Sequence, residues 1–281
     1  MNIKNYENGF FIEANKYFDP VKTFDCGQCF RFKRIENKII GVAFNNVITI
    51  EEAKKGYYIH GNNKINIEIL SDFLDCQNKY DKIEKFLEND NIIAPALDFG
   101  RGIRILKQEF FETLISFIIS QQNNIPRITK TVEKFAELFG EKIEFNGEVF
   151  YTFPTAKQVE HITIFDLEPL KCGYRAKYII DAINKVNSGE ISFTELKNTD
   201  YQTAKNKLLT INGVGAKVAD CICLFSLGFF SAFPTDTWIK KAMDKLYSIP
   251  EKEISEKSKK LFGDYSGIAQ QYLFYYLRYN R

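Results

Sequence analysis

Lys217 and Asp236 are the residues whose types and surroundings offer the clearest chemistry. Lys217 follows Gly213 and Gly215, and Asp236 follows Pro234 just before a predicted helix. A lysine amine can attack an electrophilic carbon and form a Schiff base, and a nearby carboxylate can stabilise a developing positive charge. An aspartate after a proline is also a typical helix N-cap, and a lysine beside two glycines can simply contact a phosphate. The residues alone leave both interpretations open.

The segment that must position these two residues is predicted to be a pair of helices joined by a tight hairpin. One helix ends near residue 209, residues 211–215 form the turn, and a second helix runs over residues 216–227 before Gly228. The hairpin glycines permit positive φ and let a bulky group approach the backbone. The first amides of the second helix are unpaired and carry the positive end of its dipole. The hairpin is therefore a natural seat for a nucleic-acid phosphate.

Composition restricts where such a phosphate site can lie. The 281 residues are 45% hydrophobic and 26% charged, as in a soluble globular protein with a substantial core. The formal net charge of +2 excludes a uniformly basic surface, so a nucleic-acid site must be local. Lys205, Lys207 and Lys217 supply such a patch, because no carboxylate lies within residues 201–219. Neither a signal peptide nor a long apolar run is evident, so we expect an intracellular protein with no membrane partner.

The cysteines and histidines indicate neither a disulfide framework nor a metal site. Six cysteines are few for this length, which favours a reducing compartment. Cys26 and Cys29 form a single C-x-x-C without a second pair at ligand spacing, so we predict no metal. His60 and His161 are isolated, which is more typical of packing or surface residues than of catalysts.

The string GVGAKVADCICL, followed by Pro234 and Asp236, resembles the 8-oxoguanine DNA glycosylase family of the helix-hairpin-helix DNA glycosylase superfamily. The resemblance continues in CGQCFR at 26–31, CGYRAKYI at 172–179 and GIAQQYLFYYLR at 267–278. It implies a bifunctional DNA glycosylase and apurinic/apyrimidinic lyase that flips 8-oxoguanine out of duplex DNA. In that reaction Lys217 attacks C1′ of the sugar and forms a Schiff base that permits β-elimination, while Asp236 stabilises the oxocarbenium-like state.

The same resemblance implies a pocket for the extruded base. Cys221 and Phe274 would pack on its two faces, and Gln270 would reach its Watson–Crick edge with a donor and an acceptor. The backbone carbonyl of Gly27 would accept the hydrogen at N7, which only the oxidised base carries. The predicted pocket residues are Gly27, Cys221, Phe225, Gln270 and Phe274.

A further set of residues is implied to hold the DNA around that pocket. Tyr174 would fill the gap left by the base, with Arg175 beside it. The full set is Gln122, Asn123, Arg127, Tyr174, Arg175, Gly213, Gly215 and Trp238, of which Gln122, Asn123 and Arg127 would hold the orphaned partner base. Two positions depart from the family. Gln122 stands where animal members have an asparagine that reads cytosine, and Trp238 stands where a histidine is usual, which leaves the partner-base preference and one phosphate contact open.

Periodicity predicts an α+β protein in two parts. Runs at 29–35, 38–43, 47–51 and 57–60, separated by turn signals, predict an antiparallel sheet that a helix over 68–88 covers. Helical spacing takes over near residue 99. It predicts helices at 110–121, 126–139, 156–161, 175–186, 193–197, 203–209, 238–247, 254–262 and 268–279. We expect an N-terminal α+β domain at 1–100 and an all-α region with the helix-hairpin-helix and catalytic cleft at 101–281.

Several expectations about partners follow from the resemblance. No organic cofactor is required, although hairpin carbonyls offer a site for a structural monovalent or divalent cation. The partner is double-stranded DNA with oxidised guanine, bound by a monomer. The protein would be cytoplasmic and nucleoid-associated in a bacterium, or nuclear in a eukaryote. Two alternatives remain: a monofunctional alkylation-repair glycosylase that does not need Lys217, and a non-catalytic helix-hairpin-helix DNA-binding protein.

Overall fold

The N-terminal part of the chain contains an antiparallel sheet, as predicted, and the sheet has six strands rather than the four runs expected. A computed structural model describes residues 1–63 and 65–280. The strands are β1 (Ile3–Tyr6), β2 (Gly9–Glu13), β3 (Phe32–Ile35), β4 (Lys38–Ala43), β5 (Asn46–Ala53) and β6 (Gly56–Gly61). Across the sheet they lie in the order β1-β2-β6-β5-β4-β3. The pairing of Ile39 with Ile50, and of Ile50 with Ile59, aligns one apolar row across three central strands. The strands β1 and β2 were not among the predicted runs. The side chains of β1 are mostly exposed, so it shows no apolar alternation, whereas β2 does alternate.

The helix predicted over 68–88 is wrong, because the chain breaks it in the middle. Two helices, α2 (Ile67–Phe73) and α3 (Tyr80–Leu87), take its place. The first part of the chain also contains α1 (Pro20–Asp25) and α4 (Ala94–Gly100). Asp75 adopts a φ of 50°, which ends α2. The buried Arg104 side chain donates to the carbonyls of Leu74 (3.0 Å), Asp75 and Asn78 (3.2 Å). Those carbonyls are available to Arg104 because they are not used inside a continuous helix.

The C-terminal part is helical, as predicted. Its helices are α5 (Phe110–Ser120), α6 (Ile125–Phe139), α7 (Arg175–Asn187), α8 (Phe193–Lys197), α9 (Tyr201–Leu208), α10 (Ala216–Phe225), α11 (Thr237–Tyr247), α12 (Ile254–Phe262) and α13 (Ser266–Tyr279). The helix predicted at 156–161 is wrong: these residues form turns, and the Gln158 side chain accepts from the Thr155 amide at 2.7 Å. Short-range side-chain bonds of this kind compete with helix hydrogen bonds.

A small hairpin interrupts the helices and was also missed. It pairs β7 (Lys142–Phe145) with β8 (Glu148–Tyr151). Asn146 and Gly147 both have positive φ, 51° and 78°, as a type I′ turn requires. The Asn-Gly pair is a strong hairpin signal that the sequence analysis did not use.

The helices share one large apolar core, which also contains residues from the first part of the chain. Cys26, Phe30, Tyr80, Ile83 and Leu87 belong to this core rather than to the cluster behind the sheet. The boundary at residue 100 stays a prediction. Within residues 1–63 and 65–280, every helix is too short or too polar to cross a bilayer.

Candidate active site

The hairpin between α9 and α10 has one glycine facing the protein and one facing open space. Gly213 has a φ of +81°, and a Cβ there would lie 2.2 Å from the ring of Tyr178. Gly215 has a φ of −90°, and a Cβ there would meet nothing within 4 Å. The expectation of positive φ is therefore right for Gly213 alone. Gly215 instead leaves the amides at the start of α10 uncovered, as an incoming phosphate requires.

Polar contacts on two sides hold the hairpin in place. The Asp181 carboxylate accepts from the backbone amide of Asn212 at 2.8 Å and from its side chain at 2.9 Å, which ties the turn to α7. On the other side, Asp220 accepts from the Tyr201 hydroxyl at 2.6 Å and pairs with Lys205 at 2.8 Å. Burial raises the pKa of Asp220, and Lys205 opposes that shift. Lys205 thus binds α9 to α10 and does not belong to the free basic patch predicted for it.

Lys217 and Asp236 line the same cavity, which has a volume of about 790 Å³. Lys217 lies in the first turn of α10. Its amine donates to Ser120 Oγ at 3.4 Å and sits 4.9 Å from the centroid of the Phe117 ring. Asp236 caps α11, because its Oδ1 accepts from the amides of Trp238 (3.0 Å) and Ile239 (2.9 Å). The cavity thus brings an amine and a carboxylate to a space large enough for a nucleoside.

All five predicted base-pocket residues line this cavity: Gly27, Cys221, Phe225, Gln270 and Phe274. Gly27 has a φ of +79°, and a Cβ there would lie 3.1 Å from the Phe274 ring. The Cys221 thiol lies one helical turn after Lys217, and burial raises its pKa to about 12 despite the nearby amine. Cys221 is therefore a neutral thiol at physiological pH and presents an uncharged surface. Phe225 stacks on Phe117 with ring centroids 5.4 Å apart.

Three residues of the cavity were missed by the sequence analysis. Ser120 and Phe117 contact the Lys217 amine from the end of α5. Gln271 lies beside Gln270 on α13 and also lines the cavity. The adjacency of two amides in a pocket-forming string was a usable signal for Gln271. Nothing in the spacing of α5 indicated that Ser120 would meet a lysine 97 residues away.

The elbow between α5 and α6 forms one rim of the cavity. Gln122 and Asn123 line the cavity from this elbow, and Gly215 and Trp238 line it from the starts of α10 and α11. Gln122 has a φ of 45°, which is unusual for a residue with a side chain. The Arg175 guanidinium is buried and donates to the backbone carbonyls of Gln121 and, at 3.1 Å, Gln122. Arg175 thus supports the elbow from inside, and its contact with DNA stays a prediction.

Tyr174 and Arg127 lie next to the elbow and, like Arg175 and Gly213, are not among the cavity-lining residues. The Tyr174 ring is 48% exposed, and its hydroxyl is 3.5 Å from the Gln122 side-chain oxygen. Arg127 donates to the Lys171 carbonyl at 3.3 Å. An exposed aromatic ring beside the cavity mouth is suitably placed to enter a gap in a base stack.

The cysteines are free and buried at all six positions. Burial raises the pKa of Cys26 to about 12, and its thiol donates to the Thr23 carbonyl at 3.2 Å. Among the residues that the structure describes, no group of three or more histidine, cysteine or acidic side chains is arranged to hold a metal ion.

Comparison with known proteins agrees with this geometry. Residues 11–114 match the profile described as 8-oxoguanine DNA glycosylase, N-terminal domain, and residues 115–264 match that of the HhH-GPD superfamily base excision DNA repair proteins. A probable N-glycosylase/DNA lyase of Methanothermobacter thermautotrophicus is 32% identical over 69% of this chain and 69% of its own. The N-glycosylase/DNA lyase OGG1 of Arabidopsis thaliana is 30% identical over 90% of this chain and 75% of its own.

Among solved structures, the 8-oxoguanine glycosylase/lyase of Clostridium acetobutylicum, in complex with double-stranded DNA containing cytosine opposite 8-oxoguanine, superimposes with a TM-score of 0.94. It is 39% identical, and the match covers 100% of this chain and 98% of that one. The first of the two family profiles spans most of the sheet, and the second spans most of the helical part of the chain. The chain therefore belongs to the 8-oxoguanine DNA glycosylase family of the helix-hairpin-helix (HhH-GPD) superfamily.

Proposed function

We propose that this chain is a bifunctional DNA N-glycosylase and apurinic/apyrimidinic lyase that removes 8-oxoguanine from duplex DNA. The Arabidopsis relative is named N-glycosylase/DNA lyase and the Methanothermobacter relative a probable one, and the Clostridium structure contains DNA with 8-oxoguanine. The observation that carries the mechanism is the shared cavity of Lys217 and Asp236. An amine in that cavity is needed by a lyase and not by an enzyme that only hydrolyses the glycosidic bond.

In the proposed mechanism the Lys217 amine attacks C1′ of the extruded nucleotide. The C1′–N9 bond breaks, its electron pair leaves with the base, and the base takes up the proton that the attacking nitrogen gives up. Asp236 stabilises the positive charge that develops on the sugar, because its carboxylate lines the same cavity. The sugar ring then opens to a Schiff base with Lys217. Loss of a C2′ proton expels the 3′ phosphate by β-elimination.

The pocket supports recognition of the oxidised base. Phe274 and Cys221 offer an aromatic ring and a neutral thiol for its two faces. Gly27 adopts a φ of +79°, and its carbonyl is assigned to the N7 hydrogen. Guanine has a lone pair at N7, so the same carbonyl would be left without a donor, at a cost of about 1–3 kcal/mol.

The remaining predicted residues are assigned to the DNA around the lesion. Gly213 shapes the hairpin, and Gly215 leaves space for a phosphate at the start of α10. Tyr174 enters the vacated stack, while Gln122, Asn123 and Arg127 hold the partner base. Trp238 lines the cavity, and Arg175 fixes the elbow.

We further propose that the protein acts as a monomer without an organic cofactor. Every group assigned to the reaction comes from one chain. A cation bound by hairpin carbonyls would be structural and would not enter the chemistry. The proposed location is the cytoplasm, with the nucleoid, in a bacterium, or the nucleus in a eukaryote, because the substrate is genomic DNA.

The test is cleavage of four duplexes that place 8-oxoguanine opposite each base, with and without borohydride. We expect excision, strand cleavage and a borohydride-trapped complex between protein and DNA. Lys217→Gln should lose the trapped complex. Excision without trapping would indicate a monofunctional enzyme, and binding without excision of any lesion would indicate a non-catalytic DNA-binding protein.

Asp236 needs a pair of variants, because it both caps α11 and faces the cavity. Asp236→Asn keeps a side-chain oxygen for the amides of Trp238 and Ile239, so stability should change by less than about 0.5 kcal/mol. Excision should nevertheless fall by roughly 100-fold, because the charge is lost. Asp236→Ala should lose the cap as well, at a cost of about 1 kcal/mol. Equal excision rates for Asp236→Asn and the unaltered chain would assign Asp236 to capping alone.

A further inference from the structure

Gln270 has an unusual neighbour in the cavity. Gln270 and Gln271 are consecutive residues of α13, and each is only 3% exposed. The Gln271 Nε2 group donates to the Gln270 Oε1 atom at 2.8 Å. Both residues line the cavity that holds Lys217. The two amides therefore form one connected unit on the wall of the base pocket.

One atom of this unit has no partner. Gln271 Oε1 is buried and makes no hydrogen bond within residues 1–63 and 65–280. A buried amide oxygen without a donor costs free energy, and native proteins rarely leave one unmatched. In a cavity that takes up a ligand, such an atom marks the position where a ligand donor is expected. The question is which donor of the base could reach it.

The hydrogen bond between the two amides determines what the pair offers to a ligand. Gln270 keeps its Nε2 group as a donor and one lone pair of Oε1 as an acceptor, while Gln271 adds Oε1 as a second acceptor. The pair thus offers a donor, an acceptor and an acceptor. The Watson–Crick edge of a guanine-type base offers the complement: the O6 acceptor, the N1 hydrogen and the 2-amino group. An adenine-type edge does not match, because it has a donor at position 6 and an acceptor at N1.

We propose that Gln271 is a specificity-determining residue that accepts a hydrogen bond from the 2-amino group of the extruded base and fixes the amide of Gln270 for the rest of the edge. The proposal rests on the proposed function, because it requires an 8-oxopurine in the cavity. Gln270 alone reads O6 and N1, which 8-oxoguanine shares with 8-oxohypoxanthine. Gln271 adds the distinction between bases with and without a 2-amino group.

The test is a cycle of one side-chain change and one change in the base. Single-turnover excision is measured for 8-oxoguanine and for 8-oxohypoxanthine, which lacks only the 2-amino group, each opposite cytosine. The ratio of the excision rate for 8-oxoguanine to that for 8-oxohypoxanthine should be on the order of tenfold larger for the unaltered chain than for Gln271→Met. The variant has no amide oxygen to accept a hydrogen bond from the 2-amino group. Intrinsic differences in leaving-group quality cancel in this ratio of ratios.

Two further variants separate recognition from folding. Gln271→Glu keeps an acceptor oxygen but loses the donor to Gln270, so it should excise both bases more slowly and still discriminate. Tyr272→Phe is the matched control. The Tyr272 hydroxyl donates to Glu84 at 3.0 Å outside the cavity, so its loss should lower stability and leave the discrimination unchanged.

Three outcomes would overturn the inference. If Gln271→Met discriminates as the unaltered chain does, Gln271 does not contact the 2-amino group. If Gln271→Glu loses discrimination, the acceptor role is wrong. If the unaltered chain excises neither base, the proposed function fails and this inference fails with it. The first two outcomes leave the proposed function intact.

Discussion

At the scale of single residues, the cavity depends on positions where a side chain would not fit. Gly27 combines a φ of +79° with a Phe274 ring that would lie 3.1 Å from any Cβ. The glycine therefore sets both the direction of its own carbonyl and the depth at which the ring sits. Neither property is available to a residue with a side chain unless the backbone or the ring moves.

Gly27→Ala should slow excision of 8-oxoguanine by roughly 10- to 100-fold, because the carbonyl and the Phe274 ring both shift. Stability should fall by about 1 kcal/mol from the positive φ. Single-turnover excision, thermal unfolding and the Kd for an undamaged duplex measure the three effects, and the Kd should change little. Gly147→Ala is the control: its φ is +78° with nothing within 4 Å of the new Cβ, so it should lose similar stability and keep full excision. Normal excision by Gly27→Ala would remove Gly27 from base recognition.

The sequence identified the chemical residues better than their neighbours. Four residues could be identified from the sequence because each stands in a string with a recognisable pattern, and the structure brings them to one cavity: Lys217, Asp236, Gln270 and Phe274. Ser120 could not be identified from the sequence, because its contact with Lys217 depends on how α5 packs against α10. Contacts of this kind are properties of tertiary packing and leave no local signal.

At the scale of elements, the hairpin between α9 and α10 assigns different tasks to its two glycines. Gly213 is required by the fold, since its φ is +81° and Tyr178 occupies the space beside it. Gly215 is not required by the fold, because its φ is −90° and the space beside it is open. A requirement for glycine at the second position must therefore come from a molecule outside the chain.

Gly213→Ala should destabilise the protein by about 2–3 kcal/mol, because the new methyl combines a positive φ with a clash against a packed ring. Gly215→Ala should change stability by less than about 0.5 kcal/mol, since the methyl meets no protein atom. It should still raise the Kd for undamaged duplex several-fold, because the methyl occupies the space assigned to a phosphate. Thermal unfolding and a binding titration at fixed salt separate the two effects. Unchanged binding by Gly215→Ala would show that the phosphate does not sit there.

The helix α5 links Arg31, just before β3, to Lys217 through polar contacts at its two ends. Glu112, in its first turn, lies 3.7 Å from the Arg31 guanidinium, and Ser120, at its end, contacts Lys217. Burial raises the pKa of Glu112 from its ordinary 4.5 to about 8, and Arg31 opposes the shift. The folded protein holds this proton more tightly than the unfolded chain does. The stability that the group contributes is therefore complete below about pH 4.5 and is lost as the pH rises through about 8.

Replacing Glu112 by glutamine removes that titration. The free energy of unfolding of Glu112→Gln, relative to the unaltered protein, should rise steadily between about pH 5 and pH 8 and then level off. Denaturant unfolding at several pH values measures it. Glu13→Gln is a suitable control, because Lys4 lowers the pKa of the exposed Glu13 and its titration lies below this window. A flat pH profile for Glu112→Gln would mean that Glu112 is already ionised in the folded protein.

At the scale of the whole molecule, local sequence signals were sufficient to predict the class of fold. They were not sufficient to predict where a helix is interrupted. The helix α12 was predicted at its observed bounds, and the antiparallel sheet was predicted from alternation and turns. The break between α2 and α3 was missed, because it serves a buried arginine at residue 104 that lies far along the chain. A helical pattern cannot indicate that its own carbonyls are needed elsewhere.

That arginine belongs to a buried network between the two apolar clusters, because its neighbour Ile105 belongs to the helical core and Leu106 to the sheet cluster. The Arg104 guanidinium donates to the Tyr17 carbonyl at 3.1 Å, and the buried Gln28 side chain donates to the Arg104 carbonyl at 2.8 Å and accepts from the Leu106 amide at 2.8 Å. Farther away, α4 packs against α13. These contacts lie between the two apolar clusters. Opening either cluster to solvent should therefore remove hydrogen-bond and packing partners from the other cluster.

We therefore expect the two parts of the chain to unfold together, in one calorimetric transition whose measured and van't Hoff enthalpies agree. Ile59→Ala in the sheet cluster and Leu208→Ala in the helical core each remove a fully buried side chain, at a cost of about 2–5 kcal/mol. Both should shift the same single transition to lower temperature, because neither part keeps its buried partners once the other has opened. If Ile59→Ala instead produced a separate early transition and left the later one unmoved, the sheet would be an independent folding unit. The network around Arg104 would then position the active site without coupling the stability of the two parts.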